Sequence, residues 1–181
     1  MKKIFIGFLL AAFTFSIQLA NGCTLVLVPP FVSVLIMVWG CLELKGWNNR
    51  FGFAAVVGCL VAVLQAVEWF AMLLGLLPEY IGLINAVLPL VRLLFDFLWV
   101  FGVCDLEKTY GAYLYGAGLR VLWVLQFVLQ GLVLLGLLSP LLIFFSMVGV
   151  LLGMVLNVVF LVMLYRSWRA WDYLRERGGA K

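Results

Sequence analysis

The chain contains no histidine, so the commonest general base and the commonest metal ligand are both missing. Its four cysteines, Cys23, Cys41, Cys59 and Cys104, form no CxxC pair. Only Cys23 falls near the outer face of the topology derived below, so a disulfide framework is not expected, and without thiolate clusters a metal site would need carboxylates alone. Charge is scarce too: Asp, Glu, Lys and Arg make up 11% of the residues. No Lys lies inside an apolar run, which removes a Ser–Lys dyad, and there is no HExxH, GxSxG, P-loop or dinucleotide fingerprint. No enzyme activity, cofactor or metal is expected, and an intramembrane enzyme is the least favoured class.

What the chain has instead is apolar surface. Of its 181 residues, 67% are hydrophobic, where a soluble domain is about half apolar. The excess runs the whole length and falls into six stretches of spanning length, roughly 4–20, 28–44, 51–77, 81–104, 113–138 and 141–165, since a transmembrane helix needs about 20 apolar residues. The expected fold is an all-α membrane protein, a six-transmembrane-helix bundle over 1–165 with a basic, aromatic interfacial tail at 166–181.

Ten of the twelve Lys and Arg residues fall on one side of that bundle: Lys2, Lys3, Lys45, Arg50, Lys108, Arg166, Arg169, Arg175, Arg177 and Lys181. Cytoplasmic loops keep basic residues, so both termini are expected in the cytoplasm. The net charge of +4 then faces anionic lipid head groups rather than nucleic acid. Glu43, beside Lys45, reads as half of an interfacial ion pair. A cleaved signal peptide is the rival reading of residues 1–22, because Lys2-Lys3, an apolar core and Ala20-Asn21-Gly22 precede Cys23. The even span count argues for a retained helix. Within that stretch, Phe13 to Leu19 alternates apolar and polar residues with a period of two, a strand signature. A lone strand cannot satisfy its backbone in lipid, so a helix is expected there.

Four charges lie deep inside the spans: Glu68, Arg92, Asp96 and Arg120. From the helix rise, Glu68 and Arg92 sit about 14 and 16 Å below the outer ends of spans three and four, while Asp96 and Arg120 sit about 12 and 13 Å from the inner ends of spans four and five. Arg92 and Asp96 are also four apart on one helix. The expected arrangement is a neutral ladder, Glu68–Arg92–Asp96–Arg120, either fixing helix register or lining a cavity among spans three to five that binds a small solute. Gln65, Asn85, Gln126, Gln130 and Asn157 add a polar core of interhelical amides. Gly149 and Gly153 form a GxxxG, expected to pack within the bundle. In the tail, Arg166, Trp168, Arg169 and Trp171 suit an interfacial anchor or a docking surface for a protein partner or a second copy.

Ile6-Gly7-Phe8-Leu9-Leu10, Phe13-Thr14-Phe15, Val28-Pro29-Pro30-Phe31, Leu35-Ile36 and Gly40-Cys41-Leu42-Glu43-Leu44 together resemble the N-terminal hairpin of a family of small multi-span membrane proteins from Gram-positive, clostridia-like bacteria. That family often carries Asp where this chain has Thr14 and Pro30, and Gly where it has Ser33. The resemblance implies the bacterial cytoplasmic membrane and no defined activity. The expectation carried forward is a non-catalytic integral membrane protein that binds or transports a small solute, with a structural or partner-binding role as the alternative.

Overall fold

Punctuation residues set where the helices start and stop. Pro29 holds an extended backbone (φ −55°, ψ 130°) and Pro30 begins the second helix, where a missing N–H and a fixed φ are no handicap. The Asn48 side chain accepts the N–H of Arg50 at 2.8 Å, capping the third helix. Gly111 ends the fourth with φ +60°, the left-handed conformation that closes a helix at no steric cost to glycine.

In the computed structural model, residues 1–12, 16–18, 24–26, 28–73, 78–111, 113–138 and 143–176 are described. They form α1 (Lys2–Ala12), β1 (Ser16–Gln18), β2 (Thr24–Val26), α2 (Pro30–Leu44), α3 (Asn49–Leu73), α4 (Pro78–Tyr110), α5 (Gly116–Leu138) and α6 (Ile143–Glu176). The fold is thus helical, with three helices long and apolar enough to cross a membrane among the described residues: Asn49–Ala71, Val87–Tyr110 and Met147–Glu176.

Two expectations change. The helix expected over 4–20 ends at Ala12, and Ser16–Gln18 pairs antiparallel with Thr24–Val26, Ile17 opposite Leu25. The period-two alternation prevails here, and Thr24–Val26 supplies hydrogen-bond partners for the backbone groups of Ser16–Gln18 that face it. The sixth helix does not stop at Tyr165 but runs on to Glu176, so most of the basic tail is its last turns.

The chain divides into two compact units, Met1–Gly102 and Val103–Lys181. In the first, α2 packs on α1 and α3. The α1–α2 contact is nearly backbone to backbone. A Cβ on Gly7 would lie 2.5 Å from the Ser33 carbonyl, and one on Gly40 would lie 2.7 Å from Ile4 Cγ1. Apolar burial drives little association in lipid, so close packing of this kind holds the helices together. Val34, Met37, Cys41, Phe51, Phe95 and Trp99 are fully buried in this unit. At its rim Lys3 pairs with Glu43 and sits 3.4 Å over the Trp39 ring. Glu43 therefore takes its partner from α1, not Lys45. Lys45 follows α2 in a turn, its N–H bonded to the Leu42 carbonyl, while antiparallel α1 delivers Lys3 alongside.

In the second unit α5 packs on α6. Glu107 accepts the Gly116 N–H at 2.6 Å, capping α5, and the Cys104 thiol donates to the Gly116 carbonyl at 3.1 Å. Leu106, Leu114, Leu119, Phe160 and Leu164 are buried around this turn. Farther along α6, Leu151, Met154, Val155 and Val158 are 60–65% exposed.

Candidate functional site

The site is built on α4. Arg92 and Asp96 stand one turn apart, and Arg92 Nε donates to Asp96 Oδ2 at 3.2 Å. Their side chains are 21% and 18% exposed. Asp96 is held from its other oxygen by Trp99, whose indole N–H donates to Oδ1 at 3.0 Å. Trp99 is itself fully buried, so it fixes the carboxylate, and the carboxylate fixes the guanidinium. The guanidinium carbon lies 5.7 Å from the centre of the Phe95 ring, within range of a cation–π attraction.

Both carboxylate oxygens are thereby used, while the terminal nitrogens of Arg92 are not matched in strength. Arg92 Nη2 reaches Met37 Sδ at 3.8 Å, and a thioether is a weak acceptor. Arg92 borders a cavity of about 250 Å³, lined also by Leu10, Ala11, Val28, Pro29, Pro30, Ser33 and Gln65. Ser33 donates its hydroxyl to the Pro30 carbonyl at 2.6 Å, which fixes the entry of α2. Gln65 Oε1 is buried and has no hydrogen-bond partner among the described residues. A buried unpaired acceptor costs about 1–3 kcal/mol. The cavity thus brings Arg92 of one helix and Gln65 of another to walls of proline and aliphatic carbon, with the Gln65 oxygen itself buried.

The expected ladder is corrected by this geometry. Its Arg92–Asp96 rung is made. Glu68 is half-buried and enters no ion pair among the described residues, so the Glu68–Arg92 rung is not. Helix rise fixed the height of Glu68 but not its direction. Gln65, three positions earlier, is the residue of α3 that reaches the cavity holding Arg92. Arg120 belongs to the second unit. It is exposed and borders a hollow of about 500 Å³ with Cys104, Glu107, Lys108 and Tyr113. The cavity itself is walled from α1, α2, α3 and α4 within the first unit.

Among the amides, Gln126 Nε2 donates to Asn157 Oδ1 at 2.8 Å, tying α5 to α6, and Gln130 is exposed one turn on. The side chain of Asn85 lies outside the described residues. Gly149 is buried and Gly153 is half-exposed, and a Cβ on Gly153 would meet nothing within 4 Å. Trp171 is 4% exposed and packs edge-on against Tyr110, ring centres 6.1 Å apart. Trp168 donates to Asp172 at 2.5 Å, and Arg166 and Arg169 are exposed. Trp171 thus anchors the end of α6 on the protein rather than in lipid.

Sequence reasoning missed Trp99, Ser33 and Lys3. The Trp99 signal was present, an indole three residues after an intramembrane acid. Those of Ser33 and Lys3 were not, since each depends on how α1 and α2 meet. The chain matches no known protein family, no characterised protein and no solved structure.

Proposed function

We propose that this is a non-catalytic, multi-pass protein of the bacterial cytoplasmic membrane that binds, and in doing so carries, a small polar solute in the first-unit cavity. The observation behind this reading is the Arg92 guanidinium, which beyond Asp96 has only a thioether within reach among the described residues, at a cavity that Gln65 of another helix also lines. A buried polar group left unpaired in a membrane span is costly enough to invite a ligand as the explanation. At about 250 Å³ the cavity is smaller than the roughly 300–1,000 Å³ typical of drug-sized ligands, so the solute is small.

A six-pass topology with both ends in the cytoplasm accompanies this reading. It is supported by the ten basic residues on one side and by the Lys3–Glu43 pair, which brings the start of α1 level with the end of α2. The 23 residues of α5 rise about 34 Å, enough to cross the hydrocarbon core. Eleven-residue α1 rises only about 16 Å, less than the hydrocarbon core by itself.

The test is thermal unfolding of the purified chain in detergent against a library of small polar metabolites. A native-state ligand raises the melting temperature by mass action. The expected result is at least one compound whose shift disappears in Gln65→Leu. A library without any such compound overturns the reading.

A partner-binding role is the second reading, and one observation favours it. The Gln126–Asn157 pair is exposed on a membrane helix, where a polar face is normally turned to protein. A helical partner, or a second copy of the chain, would cover it. Cross-linking in membranes with and without Asn157→Leu checks this: loss of one discrete adduct supports it, and an unchanged pattern rejects it.

A further inference from the structure

The hollow of about 500 Å³ on the second unit holds chemistry that the solute reading does not use. It is lined by Glu107 and Lys108 near the end of α4, by Tyr113 after it, and by Ala117 and Arg120 at the start of α5. Its height in the membrane comes first. Tyr113, Leu114 and Tyr115 are not helical, and lipid-exposed irregular backbone does not occur within the hydrocarbon. Tyr113 is exposed, so this turn stands at the membrane edge. Arg120 lies four residues past Gly116, where α5 begins, a rise of about 6 Å. That is shallower than the span boundaries read from sequence implied, and a long Arg side chain snorkels such a distance to the head groups. Tyr110 packs on Trp171, so the same edge carries the basic last turns of α6, with exposed Arg166 and Arg169.

Charge comes second. Neither Lys108 nor Arg120 takes part in an ion pair among the described residues. The carboxylate beside them, Glu107, commits Oε2 to the Gly116 N–H at 2.6 Å. Two cations lining one hollow at head-group height attract a phosphate. A guanidinium fork takes its oxygens in pairs, and an ammonium adds a point charge. Shape comes third. Val121, Val124, Leu125 and Val128 are exposed on α5, three or four residues apart, and so form one apolar stripe. Ala117 lies one turn before Val121, which makes the hollow continuous with that stripe. A free phosphate would use the cations alone, whereas a phospholipid uses both features.

We propose that the hollow holds one anionic phospholipid, its phosphate on Arg120 and Lys108 and an acyl chain along Val121, Val124 and Val128. In the topology given above this is a lipid of the cytoplasmic leaflet. The site stands independently of the first-unit cavity.

The test takes the full chain, delipidated in detergent, and adds phosphatidylglycerol, phosphatidylcholine or glycerol 3-phosphate. Native mass spectrometry and thermal shift read the binding. The expected result is a one-to-one complex with phosphatidylglycerol, roughly tenfold tighter than with either of the others. Arg120→Gln with Lys108→Gln weakens phosphatidylglycerol roughly tenfold. Arg166→Gln with Arg169→Gln, two cations at the same edge but outside the hollow, leaves its affinity within about threefold. Equal losses from the two double variants overturn the site in favour of a diffuse basic belt. Unchanged affinity after loss of Arg120 and Lys108 overturns it as well. Phosphatidylcholine binding as tightly as phosphatidylglycerol removes the charge selection. Glycerol 3-phosphate binding as tightly removes the lipid and leaves a site for free phosphate. Should the Arg120 variant fail to fold, Lys108→Gln alone decides, since Lys108 is exposed in the last turn of α4: a loss of about threefold supports the site, and no loss overturns it.

Discussion

A Cβ placed on Gly7, Gly40 or Gly58 would come within 2.5–2.7 Å of an atom on a neighbouring helix, whereas one placed on Gly131 or Gly153 would meet nothing within 4 Å. The first three glycines lie in the first unit and the last two in the second, where close approach is confined to the start of α5: a Cβ on Gly118 would lie 2.8 Å from Met163 Sδ. Amides divide the same way. Gln65 of the first unit lines a cavity and keeps its oxygen buried, while Gln126 and Asn157 of the second meet on an exposed surface. The difference teaches that residue type does not assign a role inside a membrane. Lipid makes apolar exposure free, so a glycine or an amide acts only where another helix comes close enough to meet it.

The largest expected effect strikes the group that organises the first unit. Asp96→Ala removes the partner of Arg92 and frees the Trp99 indole N–H. An unpaired charge at mid-span costs about 2.5–3.5 kcal/mol. The double variant Asp96→Ala with Arg92→Met removes the charge with the partner, so it should unfold at a higher temperature than the single one. Thermal unfolding in detergent is the measurement. Equal damage from single and double variants would show that the pair does not act as a unit.

Next comes the packing contrast itself. Gly7→Ala puts a methyl against the Ser33 carbonyl, a backbone atom that cannot swing aside. Overpacking of this kind costs about 1–3 kcal/mol. It also pushes α1 off α2 at the wall that Leu10 and Ala11 contribute to the cavity, so ligand-induced stabilisation should fall together with the melting point. Stability lost with ligand response intact would separate the α1–α2 contact from the site.

How much of this could be read from residues alone follows from what periodicity encodes. Proline and glycine punctuation located α2, α4 and α5 to within a few residues, except that α4 runs on to Tyr110, because those signals are local. The Arg92–Asp96 pair was legible for the same reason, being one turn of a single helix. Glu68 was misassigned because equal depth on two helices says nothing about the direction of either side chain. The strand at Ser16–Gln18 was written in the alternation of Thr14, Ser16 and Gln18, but its partner Thr24–Val26 lies farther along the sequence. The cavity was illegible as a cavity, since it needs Pro30, Ser33, Gln65 and Arg92 together from three helices.

A smaller effect is expected from the amides of the second unit. Gln126→Leu breaks the 2.8 Å bond to Asn157, and interhelical bonds in membranes average about 0.6 kcal/mol with a ceiling near 1.7. Gln126→Leu with Asn157→Leu should recover most of that loss, because no lone amide is left in lipid. A loss well above the ceiling, undiminished in the double variant, would mean that the pair is shared with a further chain.

The smallest effect carries the sharpest test of the contrast. Gly153 sits in the interior of α6 with open space where a side chain would go. Gly153→Ala removes the conformational freedom of glycine in the unfolded chain and adds a methyl that meets nothing, so stability should stay level or rise by at most about 1 kcal/mol. The same change at Gly58 should be damaging, since its Cβ would sit 2.5 Å from Val38 Cγ2 and 2.7 Å from Phe95 Cε2. The two variants have one chemistry and opposite surroundings, and the sign of the difference in melting temperature is the measurement. If Gly153→Ala proved as harmful as Gly58→Ala, the face carrying Gly153 and Asn157 would have to be covered in the membrane by another helix. That stretch of α6 would then be closely packed like the α1–α2 contact, and its exposed amide pair would belong to an interface.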